Sequence, residues 1–228
     1  MRRFIDRTVG RWVRHFFFLC LRSYYGLFFN VGVSGKHLLQ AEPGSLILAT
    51  HVSRHDGPLI ATMLYSTVRV RPTVHWDEYH HPAQRFPMWV ASAIPMSSPK
   101  DWPKERREAQ KAKTLSIIHK VLGNDNAVLV FPAGRIRQQP EEIVAPYLNG
   151  VREILTHQPD TPVLLLRTEG LGRFQDKSHD RFWSFIGRKK GRRHVNMTLS
   201  PVTDLDPSIP REDFNAQLEE MLNRPVAH

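Results

Sequence analysis

Cysteine is nearly missing from this sequence: Cys20 stands alone among 228 residues. Neither an intramolecular disulfide framework nor a cysteine-based zinc cluster can be built from it, and one thiol fits a reducing compartment. Long apolar runs are missing as well. The longest, Phe16 to Leu21, is far short of the ~20 residues that span a bilayer. Arg2 and Arg3 precede it, but no small-residue cleavage region follows, so the chain is not expected to be secreted. Internal repeats and low-complexity tracts are also absent from the sequence.

What remains is a chain that is 41% hydrophobic, long enough to bury a substantial core. Its net charge of +10 is unevenly spread. Residues 1–36 hold seven basic side chains against Asp6, and residues 173–193 hold eight against Asp176 and Asp180. Each zone therefore carries +6 and the rest of the chain −2. Two basic zones on a near-neutral body point to an anionic surface as partner. Solvated basic faces without a partner are the alternative.

In the first zone, Ile5, Val9, Trp12, Phe16 and Leu19 fall at the spacing of one helix face. Arg3, Arg7, Arg11 and Arg14 form a second stripe. An aromatic-rich amphipathic helix with an arginine stripe has the composition of an interfacial membrane anchor. The competing expectation is a helix whose apolar stripe packs on its own domain. Residues 1–30 are expected to form the membrane-interface segment, and 31–228 the domain proper.

Beyond that helix, short apolar runs alternate with helical stretches. Strands are expected near 31–38, 45–50, 69–75, 127–131, 162–168 and 195–202. Helices are expected over 104–122, where Ala112, Leu115, Ile118 and Leu122 share a face, over 147–157, and over 211–222, where Phe214, Leu218, Met221 and Leu222 do. This alternation predicts an α/β fold with a mostly parallel central sheet flanked by helices. In such sheets ligands sit beyond the carboxyl ends of the strands.

Two polar clusters fall at such ends. After the apolar run LILA come Thr50, His51, Ser53, Arg54, His55 and Asp56. A turn entering a helix can bring the Asp56 carboxylate onto the His51 imidazole. That pair suits general-base catalysis, because the carboxylate fixes the tautomer and stabilises the imidazolium that forms. The second cluster, FPAGRIR at 131–137, follows AVLV. Pro132 and Gly134 shape a tight turn, and Arg135 and Arg137 add charge that can grip a phosphate or an oxyanion. An ordinary strand-exit turn with two solvated arginines is equally consistent with it.

Taken together and in order, these blocks resemble those of the glycerolipid acyltransferases, the lysophospholipid or 1-acylglycerol-3-phosphate acyltransferase family. THVSRHD is similar to the family's NHxSxxD block, FPAGR to its FPEG-type block, and Thr161-Pro162-Val163-Leu164 to its late strand. VSGKHLLQAEPGSLILATH is similar to the lead into the catalytic strand, so the likeness covers roughly 31–170. The resemblance implies transfer of an acyl group from a thioester of coenzyme A or acyl carrier protein to a lysolipid hydroxyl. His51 would be the general base and Asp56 its orienter. Ser53 and Arg54, with Phe131 and Pro132, would line the site, and Gly134 and Arg135 would hold the acceptor's phosphate. It implies no metal and no bound cofactor beyond the acyl thioester as co-substrate. It also places the protein on the cytoplasmic face of a membrane, peripheral or monotopic, with an anionic membrane surface as partner.

The sequence departs from the family pattern at four points. Thr50 stands for asparagine, Ala133 for the glutamate of FPEG, Arg135 follows Gly134 directly, and the middle block ASAIPMSSPKDW offers Lys100 instead of arginine. Ala133 removes a carboxylate expected to help organise the acceptor pocket. A non-catalytic lipid-binding relative is therefore one alternative. A basic nucleic-acid binder using GRKKGRR at 187–193 is another, although no nucleic-acid-binding module is recognisable and no nucleic-acid partner is expected. His75, His80 and His81 lack a carboxylate or cysteine at ligand spacing and are expected to be surface histidines.

Overall fold

The computed structural model describes residues 2–96, 101–137, 141–171 and 193–224, with the main chain alone over 2–9. The second basic zone, its aromatic residues Phe182, Trp183 and Phe185, and Lys100 lie outside the described residues, save Arg193. In chain order the structure runs α1 (Arg2–Phe28), β1 (Phe29–Ser34), α2 (Leu38–Ala41), β2 (Leu46–Ala49), α3 (Asp56–Leu64), β3 (Val70–Val74) and α4 (Trp76–His80). A 3₁₀ turn (Pro82–Gln84) leads to α5 (Arg85–Ala91), β4 (Ile94–Pro95), α6 (Lys104–Leu122) and β5 (Ala127–Val130). The chain closes with α7 (Gly150–His157), β6 (Val163–Glu169), β7 (Arg193–Val202) and α8 (Arg211–Asn223).

The strands form one seven-stranded sheet in the order β1-β7-β6-β2-β5-β3-β4. Every pairing is parallel except β6 with β7. The expected fold class, a mostly parallel sheet flanked by helices, therefore holds. β2 and β5 are buried along their whole length, as strands covered by helices on both faces must be. The period of two sorts their side chains into two layers. Ile47, Ala49, Ala127 and Leu129 join Tyr25 of α1 and Leu59, Ile60 and Leu64 of α3. Leu46, Leu48, Val128 and Val130 join Ile118 of α6, Ile154 of α7 and Phe214, Leu218 and Leu222 of α8.

One register positions the site. β2 and β5 are parallel neighbours with Leu46 opposite Val128 and Leu48 opposite Val130. Their carboxyl ends therefore release the 50–56 and 131–137 segments side by side, although the two lie far apart in sequence.

Several sequence expectations shift. The strand expected at 31–38 starts earlier, at Phe29, and stops at Ser34. Gly35 follows with φ of +77°, where an added Cβ would meet the Leu199 carbonyl oxygen. On α6, Ala112 is exposed and Thr114 is buried in its stead, its hydroxyl donating to Pro95 O at 2.8 Å. The Arg14 side chain leaves the expected arginine stripe and turns inward. Its Nε donates to Val90 O at 2.8 Å and a terminal N–H to Ser92 Oγ at 3.1 Å. Arg71 Nε donates to Ser92 O at 2.7 Å, so two guanidiniums satisfy carbonyls at the end of α5, where Ser92 is left-handed.

Among the described side chains, the apolar stripe of α1 does not pack on the domain. Trp12, Phe16 and Leu19 are exposed, as is Leu27 farther along the helix. The inward side is carried by Phe18 and Tyr25, with Phe18 stacked on Tyr65 at 4.4 Å between ring centroids. Phe17 meets Phe86 of α5 edge to face at 5.8 Å, and Phe86 and Trp89 of α5 are exposed beside it. Among the described residues, no helix is long and apolar enough to cross a membrane.

Candidate active site

β2 ends at Ala49, and the chain crosses a short polar segment before α3 begins on Asp56. An aspartate in a first helical turn is favourably placed against the helix dipole, and Pro58 sits where a helix still has no amide to lose. Asp56 is fully buried. Its Oδ2 accepts from His51 Nδ1 at 3.0 Å, from Val52 N–H at 2.6 Å and from Ser53 N–H at 2.7 Å. One oxygen thus shapes the loop and orients the imidazole. Its other oxygen, Oδ1, is buried without a hydrogen-bond partner among the described residues.

With Asp56 on Nδ1, the hydrogen of a neutral imidazole is assigned to that nitrogen and the lone pair to Nε2. The His51 side chain is 20% exposed, so it remains within reach of a substrate. Ser53 is buried behind the pair, its Oγ accepting from His55 N–H at 3.2 Å. Arg54 lies on the surface of the loop. His55 is buried and meets Tyr25 edge to face at 6.4 Å, which ties the end of α1 to the loop. Burial, with Tyr24 and Asp56 adding to it, pushes the Tyr25 phenol well above its ordinary range.

The second cluster closes over the first. Gly134 N–H donates to Phe131 O at 3.0 Å, forming a turn with proline in its second position and glycine in its fourth. Gly134 has φ of +66°, a conformation that other residues adopt only under strain. The Phe131 ring stacks on the His51 imidazole with centroids 4.2 Å apart and planes 25° from parallel. Pro132 and Ala133 are buried, while Gly134 and Arg135 are exposed at the tip of the turn. Arg137 N–H donates to His51 O at 2.7 Å.

Sequence reasoning missed Glu142. This carboxylate is buried, and its Oε1 accepts from His51 N–H at 2.9 Å. Burial pushes its carboxyl above the ordinary range, against opposing pulls from the His51 amide, Arg137 and the His51 ring. Its main chain is held by Asn223 of α8: Glu142 N–H donates to Asn223 Oδ1 at 2.8 Å, and Asn223 Nδ2 donates to Glu142 O at 2.9 Å. Glu219 Oε2 accepts from Val144 N–H at 2.9 Å, and Asn215 Nδ2 donates to Leu148 O at 3.0 Å. The polar stripe Asn215, Glu219, Asn223 on α8 was the sequence signal available. Nothing local distinguishes Glu142 from exposed Glu141.

Of the residues singled out from sequence, His51, Asp56, Ser53, Phe131 and Pro132 cluster around the two loops, and Gly134 and Arg135 form their outer edge. Among the described residues no three His, Cys, Asp or Glu side chains converge as a metal site would require. His75 instead caps α4 by accepting from Asp77 N–H. An imidazole oriented by Asp56 and partly exposed can take a proton from a bound hydroxyl.

The acyltransferase family model matches residues 30–165, more than half of the chain. Among curated proteins, no match to the sequence is found. The crystal structure of the 1-acyl-sn-glycerophosphate acyltransferase PlsC from Thermotoga maritima is similar in fold, with a TM-score of 0.58 and 17% sequence identity. The likeness covers 97% of this chain and 81% of that one. On this match across residues 30–165, the chain belongs to the acyltransferase family.

Proposed function

We propose that the protein is a membrane-associated O-acyltransferase that moves a fatty acyl group from an acyl thioester to the hydroxyl of a lysolipid. The observation that carries this reading is the contact of His51 Nδ1 with buried Asp56, set beside the FPAGR turn. His51 Nε2 takes the proton of the acceptor hydroxyl as its oxygen attacks the thioester carbonyl carbon. A new C–O bond forms, the tetrahedral intermediate collapses, and the C–S bond breaks. The departing sulfur receives the proton from His51 and leaves as a thiol. Asp56 stabilises the imidazolium between these two steps. Gly134 and Arg135 hold the acceptor's phosphate at the exposed edge of the turn. The donor is a thioester of coenzyme A or of acyl carrier protein.

The exposed stripe of Trp12, Phe16, Leu19 and Leu27, extended by Phe86 and Trp89, supports docking on a membrane surface, which we propose is the cytoplasmic face. A one-tailed acceptor and a two-tailed product both reside there. Ala133, in place of the family glutamate, favours a second reading, a lipid-binding relative without turnover. Product analysis separates the two: the protein is incubated with labelled acyl-coenzyme A or acyl carrier protein thioester and a panel of lysolipids in vesicles. A thioester-dependent diacyl product supports the enzyme, and none with any acceptor leaves only the binding protein.

A further inference from the structure

Glu142 is a buried carboxylate beside the proposed base, His51. From α8's side of the sheet, Glu142 reaches the same histidine and binds its main-chain N–H. The contact has three features that a packing role does not explain. First, an amide or hydroxyl would satisfy one buried N–H, whereas a carboxylate carries a desolvation penalty. Second, Glu142 Oε2 is buried with no hydrogen-bond partner among the described residues. Third, the Glu142 main chain is clamped on both its N–H and its carbonyl by Asn223. An unfavourable group is thus held rigidly beside the imidazole.

We propose that Glu142 is a positioning residue for His51. It fixes the base at its main-chain N–H, Arg137 N–H fixes it at its carbonyl, and Asp56 fixes the ring. His51 is thereby held at three atoms by three segments of the chain. Besides its hydrogen bond, Glu142 in its ionised form adds a second negative charge next to the imidazolium that forms during transfer. The inference rests on His51 being the base of the proposed acyl transfer.

The test compares wild type with Glu142→Gln, Glu142→Ala and His51→Ala, each checked for folding by thermal melting. Turnover is followed with labelled acyl thioester and lysolipid vesicles. Glu142→Ala is expected to lower kcat by about tenfold to a hundredfold through a misplaced base, with the thioester KM within about twofold of wild type. Glu142→Gln keeps the acceptor oxygen but not the charge, so its kcat falls in between. Hydrogen exchange at the His51 amide, which needs no turnover, is faster in Glu142→Ala and close to wild type in Glu142→Gln. A folded Glu142→Ala protein with kcat within about twofold of wild type overturns the proposal. A wild type without turnover overturns the base reading itself, and His51→Ala with wild-type turnover does the same. Loss in His51→Ala but not in Glu142→Ala removes Glu142 alone.

Discussion

The one hydrogen bond between His51 and Asp56 shares its acceptor: the oxygen that accepts from the ring at 3.0 Å also accepts from the amides of Val52 and Ser53. Orientation of the base and the shape of its loop therefore depend on one atom. Asp56→Asn keeps the volume but must present its carbonyl oxygen to three donors and bury an NH₂ group. Asp56→Ala leaves buried donors without acceptors, with an expected cost of about 3–5 kcal/mol. In Asp56→Asn, kcat is expected to fall on the order of 10²–10⁴-fold. Steady-state turnover alongside urea unfolding checks both.

Glu142 gives a pH signature of opposite sign to that of an ion-paired carboxylate. Burial raises its carboxyl above the ordinary range in the folded protein. The protonated form is therefore favoured by folding. Its stabilising contribution is full below the unfolded carboxylate's range and is lost as pH rises through the raised folded value. Glu142→Gln, which cannot ionise, is expected to gain stability relative to wild type as pH rises through that window. Melting temperatures of the two proteins from acid to neutral pH measure it. A constant difference across the window contradicts the assignment.

The two sides of α1 should respond differently to substitution. Phe18 is buried against Tyr65, so Phe18→Ala is expected to cost about 3–5 kcal/mol of stability. Trp12 and Phe16 are 71% and 67% exposed, and a glutamate at both is expected to change stability by less than about 0.5 kcal/mol each. The same double variant is expected to lose binding to anionic vesicles in a sedimentation assay. Unchanged vesicle binding would remove the exposed stripe from the membrane contact.

The FPAG turn separates conformation from charge. Gly134 is left-handed, and an added Cβ would meet Leu148 only at ordinary contact distance. Gly134→Ala therefore costs strain without a clash, about 1–2 kcal/mol. Arg135→Ala is expected to leave stability unchanged and to raise KM for a phosphate-bearing acceptor while sparing the thioester KM. Initial rates with each substrate varied in turn decide this.

The sequence made the central strands visible because LILA and AVLV are unbroken apolar runs, and α8 because its apolar residues repeat at helical spacing. It hid α5 and β4. Pro82 and Pro87 punctuate that stretch, and β4 is two residues long, too short for any period. The stripe of α1 was legible as a stripe, but periodicity alone could not say which side faces the core. Phe18 and Tyr25 turn inward and Trp12 and Phe16 do not, a choice made by the partner surfaces of α3 and α5. Among the site residues, His51 and Asp56 could be paired from spacing because both lie on one short segment. Glu142 could not, because its place beside His51 depends on the sheet order and on Asn223 of a distant helix.

The central claim is that His51 moves the proton, and the most direct test is acyl transfer by wild type and His51→Ala under identical conditions. Labelled acyl thioester, lysolipid vesicles and each purified protein are mixed, and the diacyl product is quantified against the thermal melting curve. Wild type is expected to form product, and a folded His51→Ala protein to be slower on the order of 10²–10⁴-fold. A folded His51→Ala protein that forms product at the wild-type rate would contradict the account.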